Sequence, residues 1–260
     1  METGLRDKRA LVTAASKGLG YAVAEALLKE GCRVAICSSS RERIDAAAEK
    51  LSAHGEVIAA AADLAVADEC ADLVDWALHS LGGLDVLVNN AGGPPPGTFE
   101  SIDEAQWRHA FDSLLMSTVR VTQAALPALK EDPGGAVVNL TSLTAKQPID
   151  FLLLSNAFRP AIVGMAKTLS REAAPRVRVN NIATEHILTD RIRQIGAIRA
   201  EASGRSLDEE LVAWGSEVPM GRFGTAAELA NAAVFLASDA ASYITGVTLA
   251  VDGGLDQGLY

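Results

Sequence analysis

The sequence predicts a doubly wound α/β fold, and three observations carry the prediction. Seven short runs rich in valine, isoleucine, leucine and alanine recur along the chain, alternating with longer segments with helical spacing of their apolar positions. The runs are continuously apolar, which marks strands buried on both faces, as in a parallel sheet covered by helices. The first run leads directly into a glycine-rich turn and then a helical stretch, the order that presents a helix N-terminus at the carboxyl edge of a sheet.

In order, the candidate strands are RALVT (9–13), RVAICS (33–38), VIAAAA (57–62), DVLVN (85–89), AVVNLT (136–141), VRVNNI (177–182) and VTLAV (247–251). After the first comes TAASKGLG (13–20), in which Gly18 and Gly20 let the backbone approach a pyrophosphate and let the helix pack on the sheet. Ala14, Ser16, Lys17, Gly18, Leu19 and Gly20 are therefore candidate dinucleotide-binding residues. The second strand runs into CSSSRER, with no carboxylate before Glu42 to bind a ribose 2′-hydroxyl. Ser38, Ser39 and Arg41, with Lys17, suit a 2′-phosphate instead, so NADP(H) is favoured over NAD(H). The alternative is that Arg41 and Arg43 are solvated charges at a helix start. Beyond the fourth strand, GGPPPG (92–97) is too rich in proline for a regular element and reads as a loop.

With 49% hydrophobic residues among 260 and no linker-like stretch, residues 1–260 are expected to form a single domain. The formal charge of −10 and the lack of a basic run argue against nucleic acid as a partner. The charged start METGLRDKR does not resemble a signal peptide, and no apolar stretch reaches the roughly 18–20 residues of a membrane span, so the cytosol is the expected location. Cys32, Cys37 and Cys70 have no metal-ligand spacing and read as small core hydrophobes; the scattered histidines form no metal site either.

At NNAG (89–92), added to the glycine-rich turn, the chain resembles the short-chain dehydrogenase/reductase family. The closing stretch PMGRFGTAAELANAAVFLASDAASYITGVTLAVDGG (219–254) is similar to that family's C-terminal signature almost position by position. The resemblance implies a seven-stranded Rossmann-like sheet with helices on both faces, a nicotinamide cofactor, and a homotetramer or homodimer. It further implies that Asp63 and Leu64 flank the adenine, that Asn89, Ala91 and Gly92 line the cofactor, and that Thr189 holds its carboxamide or pyrophosphate. Ala14 stands where the family often has glycine.

The active site departs from the family pattern. The family's catalytic serine is retained as Ser142, but Ser155 stands at the tyrosine position, Arg159 at the lysine position and Leu114 at the asparagine position; Thr184 and Glu185 replace a Pro-Gly pair. A serine hydroxyl is too weak an acid to protonate a substrate oxygen near neutrality, and a guanidinium does not release its proton. Arg159 can donate fixed hydrogen bonds to a ribose or a developing oxyanion. Two readings follow: an NADP(H) oxidoreductase with an altered proton relay, acting on a carbonyl, enone or imine, or a nucleotide-binding fold turned to lyase, isomerase, cyclase or regulatory work. Glu185 and His186 are candidate replacement proton donors. Ser155, Asn156 and Pro160 also permit a helix that starts later than in the family, which would carry Arg159 off the active face. Residues 190–216 fall where the family places a substrate lid, with Ile192, Ile195, Ile198 and Trp214 as candidate covers. Phe151 and the prolines of 92–97 would form an opposite wall, suggesting a small, mainly apolar substrate.

Overall fold

The structure, a computed structural model, describes residues 2–259. Each expected strand is present: β1 (Arg9–Val12), β2 (Arg33–Ser38), β3 (Val57–Ala61), β4 (Val86–Asn89), β5 (Gly135–Leu140) and β6 (Val177–Thr184). A short ribbon of β7 (Ile187–Leu188) and β8 (Gly224–Thr225), not expected from the sequence, precedes the last strand, β9 (Thr248–Val251). The main sheet is parallel throughout, in the order β3-β2-β1-β4-β5-β6-β9. The order reverses between β1 and β4, which opens a crevice at the carboxyl ends of those strands.

Helices α1 (Gly18–Lys29), α2 (Arg41–Leu51) and α9 (Ala226–Ala237) cover one face, and α3 (Ala67–Leu81), α5 (Ser117–Leu129) and α6 (Leu153–Glu172) the other. Successive strand residues feed opposite layers: Val12 packs with Val23, Leu27, Ile44 and Leu229, while Leu11 packs with Val74, Ala77 and Val121. That is why the strands read as unbroken apolar runs. The three cysteines are free and buried within these layers, and burial first of all pushes the Cys32 and Cys37 thiols up to about 12.

A polar thread crosses the core. Asn89, Asn139 and Asn181 lie in register on β4, β5 and β6 and bond side chain to side chain at 2.9 Å each. Asn89 also donates to Thr122 at 2.8 Å, so its side-chain nitrogen is taken up in bracing the sheet. Satisfying each buried amide makes the thread tolerable and fixes strand register.

Three further helices surround the crevice: α4 (Glu104–Ala110), α7 (Asp190–Ser203) and α8 (Leu207–Gly215). Between α4 and α5 the chain makes a π-helical turn over Phe111–Met116. It centres on Leu114, which is fully buried against Ile102, Ala110 and Leu154, with Trp107 and Phe158 at the edge. Helices α7 and α8 form a hairpin closed by the buried Glu210, which accepts from Arg199, Ser203 and Arg205 at 2.9, 3.0 and 3.1 Å. Trp214 and Ile192 pack inward in a small cluster with Leu211 and Phe223, whereas Ile198 is 69% exposed and Ile195 is 37% exposed, so those two do not cover the crevice as expected.

Candidate active site

The glycine-rich turn forms the floor of the crevice. Gly18 has φ +63°, and a methyl group added there would meet nothing within 4 Å, leaving an open ledge at the start of α1. Lys17, the N-cap of α1, makes no side-chain cap bond, so the helix N-terminus faces the ledge with its N–H groups uncapped. Gly20 differs: its added methyl would sit 2.7 Å from the Ala14 carbonyl oxygen and 2.7 Å from Asn90 Nδ2. The turn is tied to β4 by Asn90, which donates to the Ala14 carbonyl at 3.0 Å and whose backbone bonds both ways with Thr13 Oγ1 at 2.7 and 2.8 Å. Sequence reasoning passed over Asn90, though it is the second asparagine of the NNAG motif. Ala14 adopts φ +47°, a conformation that favours glycine and accounts for the family's usual residue there.

Beside the ledge lies a cleft of about 470 Å³ lined by Ser16, Lys17, Gly18, Tyr21, Arg43 and Lys50, among others. Its charged residues are three cations and no carboxylate. Arg41 turns elsewhere than expected, toward Asp45 at 3.4 Å and the Ala59 carbonyl at 3.5 Å, while Arg43 lines the cleft. Ser38 is buried and its hydroxyl is occupied by the Ser40 backbone, whereas Ser39 is exposed at the end of β2. Asp63 and Leu64 follow β3 along the same carboxyl edge, Asp63 exposed and accepting from Ala65 N at 3.0 Å. Ala91 and Gly92 follow β4, and a methyl group added at Gly92 would also meet open space. Thr189 is the N-cap of α7 and makes no cap bond with its hydroxyl.

At the far end of the crevice, α6 begins at Leu153, so Ser155, Arg159, Ile162 and Ala166 share its buried face. The alternative of a later helix start does not hold; Pro160 lies within the helix, and Asn156 steadies the first turn by bonding the Ile149 N–H and carbonyl at 3.1 and 2.9 Å. Ser155 Oγ is 2.8 Å from Thr144 Oγ1. Arg159 is 7% exposed and donates from Nη1 to the Leu140 carbonyl at 2.8 Å; its Nε is buried without a partner. Burial, and then the nearby Arg191, pull its guanidinium down to about 10. Ser142 Oγ accepts from Thr144 N at 3.2 Å and donates to Glu185 Oε2 at 3.4 Å. Arg191, which sequence reasoning passed over for want of any motif around it, reaches from α7 to the Gly93 and Pro94 carbonyls at 3.1 Å each. The 92–97 loop in turn meets the other expected wall, Gly97 N donating to the Phe151 carbonyl at 2.7 Å.

An open glycine ledge under an uncapped helix, at the switch point of a parallel sheet, is the dinucleotide-binding arrangement of the Rossmann-type NAD(P)-dependent oxidoreductases. A family model described as enoyl-(acyl carrier protein) reductase matches residues 13–256. The chain belongs to the short-chain dehydrogenase/reductase family. It is 34% identical over 251 residues to a 3-oxoacyl-[acyl-carrier-protein] reductase, FabG, of Staphylococcus aureus, covering 95% of this chain and 98% of that one. It is 30% identical to the uncharacterized oxidoreductase YvrD of Bacillus subtilis over the whole of both chains. Among solved structures, L-sorbose reductase from Gluconobacter frateurii, complexed with NADPH and L-sorbose, superposes with a TM-score of 0.96 at 31% identity, covering 100% of both chains.

Proposed function

We propose that this protein is an NADP(H)-dependent oxidoreductase that interconverts a small, mainly apolar carbonyl, enone or imine and its reduced form. The observation that carries the reading is the basic cleft beside the open Gly18 ledge, with Lys17, Arg43 and Lys50 and no opposing carboxylate, which suits a 2′-phosphate and disfavours a bare ribose hydroxyl. The similar L-sorbose reductase holds NADPH, which supports the same preference here. Lys17, Gly18 and the α1 N-terminus would hold the phosphates, Thr189 the carboxamide or pyrophosphate, and Arg159 the nicotinamide ribose. When bound, the dinucleotide supplies hydride exchange at the nicotinamide ring. Ser142 orients the substrate oxygen, and Arg159 donates to charge developing near it with a guanidinium that keeps its proton. Residues 190–216 close over the site as a substrate lid, and the working form is a homotetramer in the cytosol.

The decisive test is paired titration. NADPH is expected to bind in the micromolar range and more tightly than NADH, followed by fluorescence or calorimetry. Loss of reduced-nicotinamide absorbance is then expected with at least one member of a panel of ketones, enones and imines. Equal affinity for the two dinucleotides would remove the 2′-phosphate assignment. Tight NADPH binding without turnover on the panel would favour the non-redox reading.

A further inference from the structure

The groups standing at three of the family's four catalytic positions offer no acid strong enough to protonate a substrate oxygen near neutrality. Ser155 is an alcohol taken up by Thr144, Arg159 is a permanent cation, and Leu114 is hydrocarbon. Around Leu114 the neighbours Ile102, Ala110 and Leu154 are hydrocarbon as well and offer no titratable group. On the opposite side a polar path exists. Ser142 Oγ contacts Glu185 Oε2 at 3.4 Å, and Glu185 Oε1 lies 3.5 Å from His186 Nδ1. That nitrogen is buried, is not aligned for a hydrogen bond with the carboxylate, and has no other partner. The imidazole is nevertheless held firmly: its ring stacks on Phe223 at 5.4 Å and meets Trp214 edge-on at 5.4 Å. His186 is also kept at φ +51°, a conformation unfavourable for a non-glycine residue that persists only when surroundings enforce it. The Glu185 and His186 side chains are 19% and 16% exposed, near enough to solvent to exchange protons with it.

Building on the oxidoreductase reading above, we infer that Glu185, reached through the Ser142 hydroxyl and steadied by His186, holds and moves the proton of the reaction in place of the missing phenol. In reduction, the substrate oxygen gains the electron pair of its breaking C=O π bond and takes a proton from Ser142 Oγ in the same step as the Glu185 carboxyl protonates that Oγ, so the carboxyl is the acid and the serine hydroxyl, too weak an acid by itself, only passes the proton on. Glu185 then regains its proton from solvent, which reaches its partly exposed carboxyl. The two electrons arrive with the hydride of the reduced nicotinamide, so one carbonyl, one hydride and one solvent proton give one alcohol. In oxidation the Glu185 carboxylate accepts the proton along the same path. Glu185 acts through Ser142 and is a positioning residue for the proton; His186 positions Glu185.

The test uses the intact protein and the panel substrate that the wild type turns over. Glu185→Gln and Glu185→Ala are expected to bind NADPH within about twofold of wild type while kcat falls by about 100-fold and KM changes by less than about threefold. Formate is expected to restore kcat of Glu185→Ala by about tenfold or more and to leave Glu185→Gln unchanged, which a structural brace would not do. In the apoprotein, the imidazole nitrogen NMR spectrum is expected to show a His186 Nδ1 signal that moves on Glu185→Gln. Turnover by Glu185→Gln within about threefold of wild type, failure of formate rescue, or an unmoved His186 signal would each overturn the relay while leaving the oxidoreductase reading intact. Absence of wild-type turnover on the whole panel would instead remove that reading and the relay with it.

Discussion

Arg159 is the residue on which energetics and function pull apart. A guanidinium with one carbonyl partner, an orphaned Nε and a second arginine in range is electrostatically unfavourable in a buried site. Its folded value near 10 lies below the ordinary 12.5, so the folded state disfavours the charge by about 3 kcal/mol. The sign follows from linkage: the penalty is complete below the folded value and is relieved only as pH climbs from there toward the unfolded one. Arg159→Met is therefore expected to stabilise the protein by about 1–3 kcal/mol, by the same amount across about pH 5–9, while weakening NADPH binding by about tenfold or more. Urea unfolding and fluorescence titration measure the two halves. A loss of more than about 1 kcal/mol would mean that the bond to the Leu140 carbonyl outweighs burial and that the cation is structural. Ser155 and Arg159 were legible as a pair because their spacing of four puts them on one helix face. The fate of their hydroxyl and guanidinium was not, since Thr144 and Leu140 approach from β5 and the turn after it.

At the scale of elements, the glycine-rich turn separates two roles that one motif hides. Gly18 faces open space at positive φ, whereas Gly20 is pressed against the Ala14 carbonyl and Asn90. Gly18→Ala is expected to cost about 1–2 kcal/mol of backbone strain and to abolish NADPH binding by filling the ledge. Gly20→Ala is expected to cost about 1–3 kcal/mol or more by overpacking, with binding lost in proportion to unfolding. Thermal unfolding with and without NADPH distinguishes them: Gly18→Ala should lose the ligand-induced shift altogether, Gly20→Ala should keep a shift for whatever fraction is folded, and a shift retained by Gly18→Ala would place the phosphates elsewhere. The strands could be read from sequence because burial on both faces leaves an unbroken apolar signature. The π-helical turn at Phe111–Met116 could not, since its residues continue the helical pattern and the extra residue is absorbed by Ser117 and Thr118 bonding back to the Ser113 and Leu114 carbonyls at 2.7 and 2.9 Å. The exchange of Arg41 for Arg43 in the cleft was equally hidden: which face of α2 looks onto the ledge depends on how α2 packs against α1, a tertiary fact.

For the whole molecule, the site is assembled from a rigid sheet edge and a weakly anchored helical hairpin. The sheet edge is cross-linked by the Asn89–Asn139–Asn181 thread and packed on both faces. By contrast, α7 buries only Gly196 and Ala200, and α8 contributes Leu211 and Trp214 to a cluster of its own. Elements with few buried apolar contacts open at lower free energy than the core. Arg191 nevertheless spans the crevice from α7 to the Gly93 and Pro94 carbonyls, so the hairpin is fastened across the groove at one end. Hydrogen exchange should therefore show α7 and α8 opening well before β1, β4 and β5, and NADPH should slow exchange at residues 13–20, 92–97 and 189–191. Equal protection of the hairpin and the central strands, or no NADPH effect in those segments, would contradict this division. The consequence for chemistry is direct, because Trp214 comes from α8 and is one of the two aromatic rings that hold His186 beside Glu185. Opening the hairpin withdraws that ring and loosens the imidazole; closing it restores the clamp. On the proposed lid and relay, one motion of the hairpin would admit substrate and, on reversal, complete the path of its proton.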